Sequence, residues 1–216
     1  MSELQSKPTE PAKRRGICFV LSAPSGAGKS TIANALRASQ KNLSHSISVT
    51  TRPPRPGESD GVHYHFITQE QFEEQAKNGD LLEWATVFGK SYGTPKAPVE
   101  QQLAEGKDLI FDIDWQGQQQ IKAALPNDVV SIFILPPSLE ELQQRLINRA
   151  SDHPNEINKR MDAALNEISH WKEFDYVIIN NKLDLAIHEA ESILSCERLK
   201  TKRQIFLKSF TDSFSR

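Results

Sequence analysis

The sequence predicts an α/β fold in which a parallel sheet is flanked by helices. Short β-rich runs alternate with helical segments along most of the chain, and several runs are continuously apolar, as in strands buried on both faces of a parallel sheet. The run ICFVLS, which leads directly into a helical segment, is the clearest case. The predicted strands comprise residues 17–22, 46–50, 63–67, 108–112, 129–135 and 176–179.

Capping signals define the predicted helices between these strands. Thr68 with Gln71, and Ser138 with Glu141, have the spacing of a capping box, and a glycine follows the first of these segments as a stop signal. The chain beyond residue 184 carries the apolar side chains of one helical face, so we expect this last helix to pack across the core. The other predicted helices are 29–39, 68–78 and 138–149.

The chain is long enough for one main domain with elaborations, because domains usually run to about 100–200 residues. The first 14 residues are polar and contain prolines, and we expect a disordered tail at 1–14 before a domain at 15–216. Between Thr51 and Thr94 the alternation breaks at a cluster of prolines and glycines, followed by short alternating segments. This pattern predicts a small, partly antiparallel lobe inserted into the main domain.

Composition excludes several function classes. A formal charge of -2 provides no global field for nucleic acid or for an anionic membrane surface. The apolar runs are far shorter than the about 20 residues of a membrane-spanning helix, and the N-terminus lacks the apolar segment of a secretory signal. Cys18 and Cys196 have no zinc-binding or redox spacing, which fits a reducing compartment, and we expect both to be packing residues. We therefore expect a cytoplasmic protein, either a monomer or a homodimer.

The stretch SAPSGAGKST at 22–31 joins the first predicted strand to the first predicted helix. It fits the phosphate-binding pattern Gly-x-x-x-x-Gly-Lys-Ser, except that Ala23 holds the first position. In such a P-loop the backbone N–H groups face the phosphates, Lys29 reaches the outer ones, and the Ser30 hydroxyl can ligate Mg²⁺. The alternative is a plain glycine–serine turn, but the strand and helix on either side favour a nucleotide site.

Two carboxylates follow the apolar run of the strand at 108–112. Asp112 ends that strand, and Asp114 comes two residues later. Proteins with a P-loop keep a second, acidic site for magnesium at such a position. The alternative is a carboxylate that caps the helix beginning near Trp115.

The segment TTRPPRPGE contains a second candidate phosphate site. Its prolines stiffen the backbone and so hold the guanidinium groups of Arg52 and Arg55 at a fixed spacing. With Tyr64 nearby in sequence, these groups predict a pocket for a phosphate that is separate from the first. The alternative is two solvated arginines on a loop.

Four motifs occur in order at coherent spacing: APSGAGKS, TTRPPRPGE with Tyr64 behind it, LEWATVFGKSYGT and DIDWQG. Together they resemble guanylate kinase of the bacterial type, a P-loop nucleoside monophosphate kinase, over nearly the whole chain. The resemblance implies Mg²⁺-dependent transfer of the ATP γ-phosphoryl group to GMP, and also to dGMP, in purine nucleotide recycling. It divides the domain into a GMP-binding lobe at 51–94, a helical lid at 145–160, and a core at 15–50, 95–144 and 161–216.

The resemblance also implies roles for individual residues. The residues implied to bind ATP are Ala23, Pro24, Ser25, Gly26, Ala27, Gly28, Lys29, Ser30, Thr31, Arg145 and Asn180. The residues implied to bind GMP are Ser48, Arg52, Arg55, Tyr64, Glu83, Tyr92, Thr94 and Asp114. The implied catalytic residues are Lys29, Arg55, Asp112, Arg149 and Arg160, and the implied metal ligands are Ser30 and Asp112.

The chemistry of these residue types agrees with those roles. Glu83 can accept two hydrogen bonds from the N1–H and 2-amino edge of guanine, and Thr94 can donate to O6, whereas adenine would leave both unpaired. Arginines on a closing lid would neutralise charge and exclude water. Two departures from the family pattern, Ala150 in place of glycine and Asn181-Lys182 in place of an acidic pair, concern the lid hinge and the adenine contact.

Two other functions compete with this interpretation. A non-catalytic guanylate-kinase-like domain would bind a partner through its GMP lobe, but such domains lose the P-loop lysine or the lid arginines, which this chain retains. The second alternative is a different P-loop enzyme, either another nucleotide kinase or a GTPase. A GTPase would carry an Asn-Lys-x-Asp signal, and residues 181–184 fit that pattern literally. The usual companion switch motifs are lacking, however, and the pocket of Arg52 and Arg55 would have no role in an enzyme with one nucleotide.

Overall fold

A computed structural model describes residues 14–87, 89–149 and 154–215 of the chain. The strands in these ranges are β1 (Cys18–Ser22), β2 (Leu43–His45), β3 (Val49–Thr50), β4 (His65–Phe66), β5 (Leu81–Val87), β6 (Lys90–Pro95), β7 (Asp108–Asp112), β8 (Val129–Leu135) and β9 (Tyr176–Ile179). The α-helices are α1 (Lys29–Ser39), α2 (Gln69–Asn78), α3 (Lys96–Ala104), α4 (Trp115–Ala124), α5 (Leu139–Arg149), α6 (Pro154–Ser169), α7 (Leu183–Leu199) and α8 (Leu207–Asp212). Short 3₁₀ helices lie at Trp171–Glu173, Thr201–Arg203 and Ser213–Ser215.

A five-stranded sheet forms the centre of the protein, in the order β2-β7-β1-β8-β9. Every neighbouring pair in this sheet is parallel. All of β1 is buried, and so is all of β8 except its last residue. These strands therefore need apolar residues on both faces, which explains their continuous apolar runs and confirms the predicted α/β class.

Two apolar clusters cover the two faces of this sheet. On one face, Leu36 of α1 and Leu194 of α7 are buried with alternate residues of β1. On the other face, Leu103 of α3 and Ile121 of α4 are buried with the remaining residues of β1. The predicted packing of the last long helix across the core is confirmed, because α7 lies against α1 and β9.

A second, four-stranded sheet builds the small lobe, in the order β4-β3-β6-β5. β6 is antiparallel to β3 and β5, whereas β3 and β4 are parallel. The segment 46–50 was assigned to the core, and for its last two residues this is wrong: Val49 and Thr50 pair with β6 in the lobe. The β5–β6 hairpin was not predicted as strands, because polar residues, a glycine and a proline interrupt its apolar pattern.

The helix ends follow the capping signals. Thr68 and Gln71 form the reciprocal hydrogen bonds of a capping box at the start of α2, and Gly79 ends that helix with a left-handed φ of 74°. The Ser138 hydroxyl accepts a hydrogen bond of 3.1 Å from the N–H of Glu141, which confirms the predicted start of α5.

α5 and α6 form the region predicted as the lid. Leu142 and Leu146 of α5 are buried with Ala164 of α6 in a separate small cluster. The same two leucines lie against Gly26, so this helix pair sits on the P-loop. The Arg149 side chain and the predicted hinge at Ala150 lie outside the described residues.

Two details near the ends of the chain differ from expectation. Arg14, the last residue of the predicted tail, donates two hydrogen bonds of 2.7 Å to Asp108, so ordered packing includes this residue. The rest of that tail lies outside the described residues. Cys18 is buried, as predicted, but Cys196 is exposed, because it lies on the outer face of α7.

In the part of the chain that the structure describes, no helix has the length and apolarity to cross a membrane.

Candidate active site

The P-loop, residues 23–28, joins β1 to α1 through two glycines in left-handed conformations. Gly26 has a φ of 92° and Gly28 a φ of 100°. Gly28 caps α1 without a side-chain hydrogen bond, and the first turn of α1 contains no acidic residue. The positive end of this helix therefore meets no negative charge from its own first turn, an arrangement that favours a bound phosphate. The Ala23 methyl packs into the apolar core, which explains why alanine is tolerated there.

Lys29 and Ser30 both contact Asp112. The Lys29 Nζ lies 2.6 Å from Asp112 Oδ1, and the Ser30 hydroxyl donates to Asp112 Oδ2 at 3.2 Å. The contact follows from the sheet, because β1 and β7 are parallel neighbours and their carboxyl ends meet at the same edge. The ion pair is partly exposed and therefore accessible to a ligand.

A cavity of about 740 Å³ opens in front of these residues. It is lined by the P-loop and by Asp112, Arg145 and Asn180, which the resemblance assigned to ATP or to the metal. Asn181, which sequence reasoning connected with the adenine contact, also lines it, and further lining residues that were not predicted are Asn148, Glu167 and Leu183. Asn148 and Glu167 lie on helices with no motif to mark them. Burial raises the pKa of Glu167, against the opposing effect of the Lys29 charge.

Asn180 follows β9 and supports the P-loop from the side. Its buried side-chain amide donates a hydrogen bond of 2.8 Å to the carbonyl oxygen of Ala27. A Cβ at Gly28 would lie 2.4 Å from the same amide nitrogen. Glycine is therefore required at position 28 both for its backbone angle and for space. Asn180 therefore supports the loop and also lines the cavity.

Arg52 and Glu58 form a bidentate pair in the small lobe. The Arg52 Nη1 and Nη2 donate to the two carboxylate oxygens of Glu58 at 2.8 and 3.0 Å, and the Arg55 backbone N–H donates to the same carboxylate at 2.8 Å. The Arg52 guanidinium lowers the pKa of Glu58 to about 2, and Glu58 in turn raises the pKa of Arg52. Glu58 was not predicted as a site residue, although it is the last residue of the motif TTRPPRPGE.

Aromatic rings surround Arg52. Its guanidinium carbon lies 5.4 Å from the centre of the Tyr64 ring and 5.8 Å from that of Phe66. The Tyr64 and Tyr92 rings meet edge to face at 6.1 Å. The structure thus brings together Arg52, Tyr64 and Tyr92, as the resemblance implied, whereas the Arg55 side chain is exposed at the edge of this group.

Glu83 and Thr94 face each other across the β5–β6 hairpin. The Thr94 hydroxyl donates to Glu83 Oε1 at 2.7 Å, and the two residues are only 7% and 1% exposed. Burial raises the pKa of Glu83, and the nearby Asp114 carboxylate adds to that rise, while the Thr94 hydrogen bond opposes it. Asp114 caps α4 by accepting a hydrogen bond of 2.8 Å from the N–H of Gly117, so the alternative capping role holds for this carboxylate.

The remaining predicted residues lie at the edges of the two sites. Ser48 is half-buried, and its carbonyl oxygen accepts a hydrogen bond of 2.9 Å from the N–H of His65. Arg145 lines the large cavity and donates through Nε to Glu141 at 3.1 Å. Arg160 is exposed on α6. The predicted site residues therefore form two separate groups, one at the P-loop and one in the small lobe.

Known proteins are similar to this chain over nearly its whole length. The family model described as guanylate kinase matches residues 15–197. The chain belongs to the guanylate kinase family. The guanylate kinase of Gluconobacter oxydans is 64% identical over 203 residues, which cover 94% of this chain and 98% of that protein. The guanylate kinase of Sphingopyxis alaskensis is 54% identical over 197 residues, which cover 91% and 90%.

A solved structure agrees with these relatives. The crystal structure of guanylate kinase from Anaplasma phagocytophilum matches with a TM-score of 0.72 at 37% identity, and the match covers 94% of this chain and 96% of that one. The predicted guanylate kinase family and the P-loop fold are confirmed. The match of residues 181–184 to the pattern Asn-Lys-x-Asp therefore does not identify a GTPase.

Proposed function

We propose that the protein transfers the γ-phosphoryl group of ATP to GMP, with ATP bound at the P-loop and GMP in the small lobe. ATP-dependent phosphorylation of GMP to GDP is the reaction of the guanylate kinase family, to which the chain belongs. Our proposal adds the residues that carry it. The observation that supports it best is the presence of two separate groups of cationic and polar side chains, one around Lys29 and one around Arg52.

ATP is assigned to the cavity in front of the P-loop. Backbone N–H groups of the loop and of the first turn of α1 would bind the β- and γ-phosphates, because the helix dipole favours negative charge at that end. The Lys29 ammonium pairs with Asp112 beside the loop and adds a positive charge to the site. Arg145 and Asn180 line the same cavity, which has room for the nucleoside.

GMP is assigned to the small lobe. Arg52, Tyr64 and Tyr92 would donate to its phosphate, with Arg55 as a further donor from the exposed loop. Glu83 and Thr94 would bind the guanine edge, with Ser48 and Asp114 beside them. Glu83 has a raised pKa in the protein because it is buried, and two N–H groups of guanine would offset the cost of that buried charge. The assignment predicts discrimination against adenine.

The residues at the P-loop fit a magnesium ion. Mg²⁺ prefers oxygen ligands and keeps several of its waters. The Ser30 hydroxyl and the Asp112 carboxylate offer such oxygens within 3.2 Å of each other. We assign Ser30 as a direct ligand and Asp112 as a ligand of the ion or of its bound water. When bound, the ion would supply charge neutralisation at the phosphates.

The transfer itself needs no general base. An ionised oxygen of the GMP phosphate attacks the γ-phosphorus, the bond from that phosphorus to the β–γ bridging oxygen breaks, and ADP leaves with the electron pair. We assign Arg55, Arg149 and Arg160 to neutralising the charge on the transferred group, and the α5–α6 pair to excluding water. The cytoplasm, where ATP and GMP are both available, is the proposed compartment.

An acceptor panel tests this function. ADP release is measured with ATP and Mg²⁺ plus GMP, dGMP, AMP, UMP or no acceptor. We expect ADP release with GMP and with dGMP, and a kcat/KM for AMP that is lower than that for GMP by about 10⁴-fold, because AMP leaves buried polar groups unpaired. ADP release that does not depend on an acceptor would show a hydrolase. Equal rates with GMP and AMP would contradict the assignment of the guanine site.

A further inference from the structure

β5 forms an outer edge of the small-lobe sheet, and it carries Glu83. In the described part of the chain, β5 has a neighbouring strand on one side only, namely β6. The register of that pairing shifts between Leu81 and Glu83, so the ladder is irregular just before the residue that we assign to the guanine edge. An edge strand also presents backbone N–H and C=O groups along its open side. A contact on that open side would therefore fix the backbone beside Glu83 more firmly than β6 alone.

Gln120 of α4 makes such a contact. Its side-chain Oε1 accepts a hydrogen bond of 3.0 Å from the N–H of Trp84, and its Nε2 donates one of 3.2 Å to the carbonyl oxygen of the same residue. Trp84 directly follows Glu83 in β5. The side-chain amide thus exchanges both hydrogen bonds with the strand, as a residue of a neighbouring antiparallel strand would. Gln120 therefore holds the backbone of β5 one residue after Glu83.

The same helix also lies against the Glu83 side chain. A Cβ at Gly117 would lie 3.3 Å from Glu83 Oε2, so the glycine allows the carboxylate to approach the helix closely. Asp114, which caps the first turn of α4, is the second carboxylate that we assign to guanine. Gln120 lies about 9 Å further along the helix, at about 1.5 Å per residue. One helix therefore carries Asp114 and, through Gln120, holds the strand of Glu83.

The opposite side of α4 is anchored in the main domain. Ile121, the neighbour of Gln120, is buried with Leu109 and Phe111 of β7 in the apolar cluster on one face of the main sheet. Gln120 therefore connects the backbone of a lobe strand to a helix that the core holds in place.

We propose that Gln120 is a positioning residue for guanine recognition, which sets the place of Glu83 relative to Asp114. The proposal rests on the function proposed above, because it takes these two carboxylates as the groups that bind the base. Gln120 acts through the backbone of Trp84 and not by contact with the substrate. Without its amide, the backbone beside Glu83 loses this tie to the core, and the carboxylate meets the N1–H and 2-amino groups of guanine in a poorer geometry.

Steady-state kinetics of Gln120→Met test the proposal on the full chain. Methionine keeps the length and the helix propensity of glutamine but can form neither hydrogen bond with Trp84. We expect the KM for GMP to rise about fivefold to tenfold, the usual effect of losing one or two exposed hydrogen bonds, while kcat and the KM for ATP stay nearly constant. Gln119→Met is the matched control and should bind GMP as the wild type does, because the Gln119 amide is bonded to Glu173, outside the small lobe.

A double-mutant cycle separates positioning from a merely structural role. If Gln120 acts through Glu83, Gln120→Met should raise the KM for GMP by less than about twofold when Glu83 is already glutamine. A rise as large as the one in the otherwise wild-type chain would overturn the proposal. Gln120→Glu keeps the acceptor for the Trp84 N–H but loses the donor to the carbonyl oxygen, so it should also raise the KM for GMP. This variant keeps the test decisive should Gln120→Met fail to fold.

Failure of this proposal differs from failure of the guanine assignment. A raised KM for GMP in Glu83→Gln, with an unchanged KM in Gln120→Met and Gln120→Glu, would overturn the role of Gln120 alone. An unchanged KM in Glu83→Gln would overturn the guanine assignment, and this proposal with it.

Discussion

The P-loop and the small lobe, to which we assign ATP and GMP, are built differently. The P-loop is mainly backbone, shaped by two left-handed glycines between a buried strand and a helix, and the Lys29 and Ser30 side chains follow it at the start of α1. The small lobe relies on side chains, and these are paired with one another: Arg52 with Glu58, and Glu83 with Thr94. Backbone groups bind any triphosphate, whereas paired side chains on a separate sheet can recognise one particular nucleotide.

Because of this difference, substitutions in the two regions should change different kinetic constants. In the small lobe a ligand must share or replace contacts that the protein already makes with itself, so changes there should alter affinity for GMP. At the P-loop the side chains complete a phosphate site that the backbone already forms, so changes there should alter turnover. The following variants, in order of expected effect, test that division.

Replacing Lys29 should have the largest effect. Lys29→Met keeps the length of the side chain but removes the charge at the outer phosphates. We expect kcat to fall by about 10²–10³-fold, the usual loss when one preorganised donor to developing charge is removed. The KM for GMP should change little. Steady-state kinetics measure both values, with Lys77→Met on the exposed face of α2 as the matched control. A fall of less than tenfold would contradict a role in transfer.

Replacing Glu83 should mainly affect GMP. Glu83→Gln keeps the shape of the side chain but turns one acceptor into a donor, which then opposes the guanine N–H groups. We expect the KM for GMP to rise by about 10–100-fold, because a buried polar group is left unpaired. The KM for ATP should stay constant, and the exposed variant Glu74→Gln should behave as the wild type. An unchanged KM for GMP would show that Glu83 does not bind the base.

Replacing Glu58 tests whether the pairing of Arg52 matters. In Glu58→Gln, Arg52 stays charged but loses its bidentate partner, so the substrate itself must order the guanidinium. We expect the KM for GMP to rise about fivefold, because the pair is only partly buried and is therefore partly screened, with kcat nearly constant. Glu74→Gln again serves as the control. If the KM for GMP fell, Glu58 would be a competitor of the phosphate and not a support of Arg52.

The pH dependence of GMP binding should follow Glu83. Guanine needs the carboxylate form, and burial raises the pKa of Glu83 above the ordinary value of about 4.3. Affinity for GMP should therefore be full above that raised pKa and be lost as the pH falls through it. Glu58, with a pKa of about 2, stays ionised throughout. The ratio of wild-type to Glu83→Gln KM values cancels the titration of the GMP phosphate, and a ratio that does not rise as the pH is lowered would contradict the prediction.

The sequence predicts the P-loop region more completely than it predicts the small lobe. The P-loop, α1 and the buried strands follow from local patterns, because continuous apolar runs and Gly-Lys-Ser have few other structural meanings. The β5–β6 hairpin and the place of Val49 and Thr50 did not follow, since short, polar strands are defined by their partners across the sheet. Glu58 and Glu167 were missed because their roles depend on three-dimensional neighbours, Arg52 in one case and the cavity in the other.

Binding measurements on two variants test the division between the sites most directly. Isothermal titration calorimetry gives the affinities of Lys29→Met and Glu83→Gln for GMP and for the imido analogue of ATP, each titrated alone. We expect Lys29→Met to lower the affinity for the ATP analogue by about tenfold or more and the affinity for GMP by less than about twofold. Glu83→Gln should do the reverse. If both variants weakened the same nucleotide, the P-loop and the small lobe would not be separate sites for ATP and GMP.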